Sequence, residues 1–114
     1  VLLLHDTVPL TADTAGREHR TGFHTGDAWK IVPCLRLLRP DLRIVTLPAA
    51  PTGLTVVTGL DPSSTRLRER RAVIHAAYAT LPPDGVVAAP QHPLALGLNE
   101  PQWMARWLRQ ARAQ

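Results

Sequence analysis

Two short β-rich runs, Asp-Leu-Arg-Ile-Val-Thr-Leu at 41–47 and Leu-Thr-Val-Val-Thr at 54–58, are separated only by Pro48-Ala-Ala-Pro-Thr-Gly53. That spacing constrains the fold more than any other feature. Neighbouring parallel strands need a crossover of about a dozen residues or more, whereas antiparallel strands can be joined by a tight turn. The spacer is too short for a helical crossover, so the two runs are predicted to form an antiparallel hairpin. Gly53 can take the positive φ that such a turn often demands.

The rest of the chain is read around that hairpin. Val1-Leu2-Leu3-Leu4 is apolar without alternation, the pattern of a strand buried on both faces. Residues 7–26 are polar, contain Pro9, Gly16, Gly22 and Gly26, and read as a long loop of the functional or mobile kind. Asp27 is placed to cap a helix carrying Ala28, Ile31, Val32, Leu35 and Leu38 at three-four spacing. Pro33 predicts a kink or a short separate first turn, and Pro40 closes the helix. A strand, a helical crossover and a second strand imply a right-handed parallel pair, with the hairpin adding an antiparallel strand beside it. The expected class is therefore a mixed α/β sheet. Ser63 or Ser64 is expected to cap a helix running through Leu67, Val73, Ile74, Ala77, Tyr78 and Leu81, ended by Pro82-Pro83-Asp84-Gly85. Residues 86–101 read as irregular connection, and residues 102–112 as a last helix with Trp103, Trp107 and Leu108 on one side.

With 114 residues the chain suits a single core. Leu, Ile, Val and Phe number 30, enough to favour folding over disorder. Cys34 stands alone, so an intrachain disulfide and a multi-cysteine zinc site are excluded. No apolar run exceeds four residues, far short of the roughly 20 needed for a membrane helix. No signal peptide is visible. Twelve of the 13 basic residues are arginine, and the formal charge is +4. The densest stretch, Arg66, Arg68, Arg70 and Arg71, falls on the polar side of the expected helix and reads as a solvated face. Without interleaved aromatics or a docking motif it does not indicate a nucleic-acid partner. The chain opens on Val1, with no turn or cap before its first strand, and is expected to begin inside a domain whose earlier part is absent.

The stretches Leu4-His5-Asp6-Thr7, Gly26-Asp27-Ala28-Trp29-Lys30, Arg39-Pro40-Asp41-Leu42 and Gly53-Leu-Thr-Val-Val-Thr-Gly59 together resemble the C-terminal half of bacterial class I S-adenosylmethionine-dependent methyltransferases, nearest to small-molecule O-methyltransferases. The resemblance covers roughly residues 1–61. It implies part of a Rossmann-like sheet in which the last strand is antiparallel and inserted between the fifth and sixth. Residues 1–5 would match strand five, 42–47 strand six and 54–58 strand seven. Residues 62–114 would be a helical extension packing on the same domain. The resemblance further implies a cytoplasmic enzyme, S-adenosylmethionine as methyl donor, a small-molecule hydroxyl as acceptor, and a divalent ion such as Mg in the metal-dependent members. The glycine-rich turn that holds the cofactor in such enzymes is missing, since no Gly-x-Gly occurs. Cofactor-binding residues are therefore not assigned, and the isolated chain is expected to be inactive.

Asp6 is the leading candidate site residue, because sites of open α/β sheets lie beyond the carboxyl ends of strands. The resemblance makes it a candidate metal ligand or an aid to deprotonation, but the upstream carboxylate partner is absent and Thr7 follows where relatives carry an amide. Ordering its own loop is the structural alternative. His5 is the candidate general base. His19 and His24 sit on the loop, and with His5 they match no tight zinc spacing. Asp27, Trp29 and Lys30 are read as cap, packing anchor and solvated charge, positioning the loop and helix. Cys34 is read as a small buried hydrophobe. The competing class is a non-catalytic α/β interaction module that uses an exposed sheet edge and the C-terminal helices to bind another chain or a second copy.

Overall fold

The computed structural model describes residues 1–19 and 21–113. Strand β1 spans Leu2–His5, and the loop that follows contains no helix or strand among its described residues. A 3₁₀ turn at Ala28–Lys30 leads into helix α1, Ile31–Leu38. Strands β2 (Arg43–Leu47) and β3 (Leu54–Thr58) form the hairpin. Helices α2 (Arg66–Glu69), α3 (Arg71–Tyr78), α4 (Asp84–Ala88) and α5 (Pro101–Arg112) complete a mixed α/β chain.

The hairpin closes as its spacing predicts. Val45 faces Val56 across the ladder, Thr46 faces Thr55, and Gly53 turns at φ 79°. The helix after the loop also follows its proline. Pro33 lies in the first turn of α1, where its missing N–H would lack an intrahelical partner in any case, and a separate 3₁₀ turn precedes it.

The expected parallel pair does not form. The strand order is β1-β3-β2, with β3 antiparallel to both neighbours. β1 and β2 do run in the same direction, as a helical crossover requires, but β3 enters between them and takes the hydrogen bonds of both. The one parallel contact among the described residues is an isolated bridge from Thr46 to Leu96, through Thr46 N to Ala95 O at 2.9 Å and Gly97 N to Thr46 O at 2.9 Å. That contact covers part of the outer edge of β2. Among the described residues the outer edge of β1 has no such cover, which corrects the fully buried strand expected at the start of the chain. Leu3 is 59% exposed and Leu2 38%, and among the described residues β1 pairs with β3 alone.

The core sits on the sheet face that carries α1. Val57, Leu35 and Leu42 form one cluster, joined by Leu4 and by Leu67 of α2. Trp29, Val32, Ala15, Val86 and Leu94 form a second, and Ile44 touches both. A fully buried Leu94 is worth about 1.5–3 kcal/mol in removed apolar surface, which explains why the proline-rich segment around it is pinned. On the opposite face, α5 lays Trp103 against Gly97 and close to Val45, while the Arg43 guanidinium stacks 5.1 Å from the centroid of Trp107.

Several local expectations change. The helix expected to run from Ser63 or Ser64 to Leu81 breaks at Arg70, whose φ −101° and ψ 12° leave the helical region. Thr65 takes the cap position of α2, and Ser63 instead gives its amide and hydroxyl to Asp61 in a local turn. Residues 84–88, expected to be turn and connection, form α4, seating Val86 in the core.

Candidate functional site

At the carboxyl end of β1 the chain must leave the sheet sharply, and Asp6 does this at φ 59°. This left-handed conformation costs most residues about 1–2 kcal/mol, and aspartate tolerates it better than most. The departure is fixed from three sides. The Thr52 hydroxyl donates to Asp6 Oδ1, the Val8 amide donates to Thr52 O at 2.8 Å, and Thr55 Oγ1 donates to Thr7 Oγ1 at 2.8 Å. Thr55 also bonds Thr46 Oγ1 at 2.7 Å, so a buried chain of hydroxyls runs from β2 through β3 to the residue after Asp6. Thr7, Thr46 and Thr55 are fully buried. Each unpaired hydroxyl there would cost about 1–3 kcal/mol, so the network holds the loop exit in place.

That geometry aims Asp6 Oδ2 at His5 Nδ1, 3.1 Å away. The two groups pair at that distance, and 85% of the His5 side chain is open to solvent, so its Nε2 edge is accessible from outside. Beside the imidazole lies a cleft of about 300 Å³ lined by Leu3, Leu4, Thr7, Ala28 and Ile31. The pair of residues singled out in the sequence therefore meets in one place. Both Asp6 oxygens are engaged, and no group of three or more His, Cys, Asp or Glu side chains suited to a cation occurs among the described residues. Asp6 offers a single carboxylate, a donor set from this chain that does not fit a divalent ion.

The Gly26-to-Lys30 stretch positions the loop. Trp29 is 2% exposed and donates Nε1–H to Ala15 O at 3.3 Å, tying the middle of the loop to the start of α1. Asp27 makes no capping bond. Its carboxylate pairs with Arg17 Nε at 3.2 Å and Lys30 Nζ at 3.6 Å, because the first turn is 3₁₀ and directs the side chain toward the loop. Lys30 is not a solvated charge either. Its side chain is 14% exposed and its ammonium donates to Ala79 O at 3.2 Å, where a cation favours the carbonyl end of α3. The His19 and His24 rings stack with centroids 4.5 Å apart, and no metal-binding group of side chains includes them among the described residues. Cys34 is buried, and burial pushes its thiol pKa up, away from the reactive thiolate.

Sequence reasoning did not find Thr52, Thr7 or the Thr46–Thr55 pair. The last was within reach, since the hairpin register alone places Thr46 opposite Thr55. Thr52 carries no local signal, because its role depends on the distant end of β1. No protein-family model, curated protein or solved structure matches the chain.

Proposed function

We infer that this chain is the acceptor side of a class I S-adenosylmethionine-dependent methyltransferase acting on a small-molecule hydroxyl. The observation that carries the reading is the strand order. A reversed strand, β3, lies between two strands of common direction, and a histidine–aspartate pair sits at the carboxyl end of the first. That arrangement supports kinship with a Rossmann-like sheet, whose sites lie beyond strand carboxyl ends.

The described residues do not fit the cofactor. The glycines here are scattered, and Gly26, Gly53 and Gly59 take their positive φ values in separate turns. Cofactor binding is assigned to residues outside this chain, and the chain alone is inactive. What it contributes is proton handling. Asp6, with Oδ2 3.1 Å from Nδ1, holds the His5 ring in place, and His5 Nε2 takes the proton of a hydroxyl presented at the edge of the apolar cleft. General-base assistance of this kind is worth about 10²–10⁴ in rate.

The test uses the protein that contains this chain together with its upstream coding segment, assayed by formation of S-adenosylhomocysteine. His5→Gln is expected to lower turnover by about 10²-fold or more, and Asp6→Asn by a smaller factor. Unchanged turnover in both removes the pair from the mechanism.

One observation favours a second reading as an interaction module. The free edge of β1, with its exposed leucines, is a template for pairing with another chain. Light scattering separates the readings: the interaction module predicts stable, stoichiometric association of the 114-residue chain, and a monomer across the micromolar range counts against it.

A further inference from the structure

The cleft beside His5 is small and almost wholly aliphatic. At about 300 Å³ it stands at the lower end of the volumes that ligand pockets span, about 300–1,000 Å³, which suits a body of one or two rings. Leu3, Leu4, Ala28 and Ile31 supply its walls, and Leu3 and Ile31 are both exposed. Thr7 is fully buried, and its hydroxyl oxygen accepts from Thr55 Oγ1 at 2.8 Å. The polar side chain that stands open at the mouth is that of His5.

No arginine or lysine lines this cleft among the described residues. The cations near the start of α1 are turned to other groups: Lys30 Nζ donates to Ala79 O at 3.2 Å, and Arg17 Nε lies 3.2 Å from Asp27 Oδ2. A carboxylate or phosphate seated between the aliphatic walls would lose water without gaining a counter-charge. A sugar would leave several hydroxyls against leucine and isoleucine without partners. An uncharged apolar body has no such loss and gains by covering the exposed aliphatic surface.

We propose that this cleft selects an uncharged, mainly apolar hydroxyl compound of one or two rings as the acceptor, with its ring body against Leu3, Leu4, Ala28 and Ile31 and its hydroxyl toward His5. The proposal rests on the methyl-transfer reading above and narrows its acceptor. The His5–Asp6 pair marks this apolar cleft as a substrate seat, because a surface made only for packing has no need of an open imidazole held 3.1 Å from a carboxylate at its mouth. Ile31 and Leu3 are the specificity-determining residues. Both line the cleft, and neither side chain enters the hydrogen-bond network that holds Asp6 and Thr7.

The test has two arms and three probes, each carrying a hydroxyl: naphthol, hydroxynaphthoate and methyl glucoside. In the first arm, NMR titration of the 114-residue chain follows the Ile31 methyl and His5 ring signals. Naphthol should bind about tenfold or more tighter than either of the others. Ile31→Lys should weaken naphthol and strengthen hydroxynaphthoate, shifting their ratio by about tenfold, and Leu3→Thr should weaken naphthol alone by about threefold. Leu37→Ser, remote from the cleft, should leave all three unchanged. Unfolding midpoints confirm that each variant is folded. No response of Ile31 to naphthol, or equal affinity for the three probes, overturns the proposal. In the second arm, the protein extended by its upstream coding segment is assayed for S-adenosylhomocysteine with the same probes. A kcat/KM for the glucoside or hydroxynaphthoate equal to or above that for naphthol overturns the proposed specificity while methyl transfer stands. Selective naphthol binding in the first arm with no S-adenosylhomocysteine from any probe in the second overturns the methyl-transfer reading, and the acceptor role of the cleft with it.

Discussion

Replacing Gly53 by alanine is expected to damage the hairpin and the site loop together, for reasons that can be worked from distances. Gly53 sits at φ 79°, so any L side chain there carries a backbone penalty of about 1–2 kcal/mol. The added Cβ would also lie 2.3 Å from Val8 Cγ2, 2.9 Å from Val8 Cβ and 3.3 Å from Leu47 O. Val8 cannot withdraw freely, because its amide is bonded to Thr52 O. Overpacking of this kind adds about 1–3 kcal/mol, for a total of about 2–5 kcal/mol. At a urea m value of about 1.5 kcal/mol/M, the midpoint should fall by roughly 1–3 M. Hydrogen exchange gives the local readout: the Val8 amide should lose protection more than the Val56 amide at the centre of the sheet. The double variant Gly53→Ala/Val8→Ala should recover the share of the overpacking owed to Val8 Cγ2, while the contact with Cβ and the backbone penalty remain, a coupling of about 1 kcal/mol. Equal unfolding midpoints for wild type and Gly53→Ala, or no coupling with Val8, would refute the reasoning.

Other substitutions probe the remaining contacts. Gly97→Ala would set a Cβ 2.4 Å from Trp103 Cη2 and 2.6 Å from Val45 Cγ2, so α5 should lift from the sheet at a cost of about 1–3 kcal/mol, measured by denaturant unfolding and relieved in part by Trp103→Leu, the Val45 contact remaining. Trp29→Phe removes the Nε1–H bond to Ala15 O and should cost about 1–3 kcal/mol, with faster proteolysis of the loop between residues 12 and 26. The bidentate Arg39 guanidinium holds the Asp41 carboxyl well below its ordinary 3.8, at about 2, with Arg66 assisting. A depressed carboxylate contributes stability that is complete above about pH 4 and is lost as pH falls through about 2. Asp41→Asn should therefore lower stability at pH 7 and flatten the acid limb, read from unfolding curves between pH 2 and 7. Some slope should remain, because the Ser63 hydroxyl and amide also lower the Asp61 pKa.

The parts of the fold that were legible depend on local rules. The hairpin followed from a six-residue spacer, the turn at Gly53 from residue type, and the early break before α1 from Pro33. The parts that were not legible depend on partners distant in sequence. Composition makes Val1-Leu2-Leu3-Leu4 look like a core strand, but burial requires a neighbour on each side, and among the described residues β1 has one. Lys30 looks like a surface charge until α3 brings the Ala79 carbonyl to it across 49 residues. At the site, the adjacency of His5 and Asp6 was visible in sequence, while the left-handed turn and the Thr52 hydroxyl that aim the carboxylate were not.

The central claim, that this chain supplies the acceptor side of a methyltransferase whose cofactor site lies outside it, is tested most directly by titration calorimetry with S-adenosylmethionine. The experiment compares the 114-residue chain with the protein extended by its upstream coding segment. The account predicts micromolar binding to the extended protein and none to the chain alone. Micromolar binding to the chain alone, or no binding to the extended protein, would contradict it.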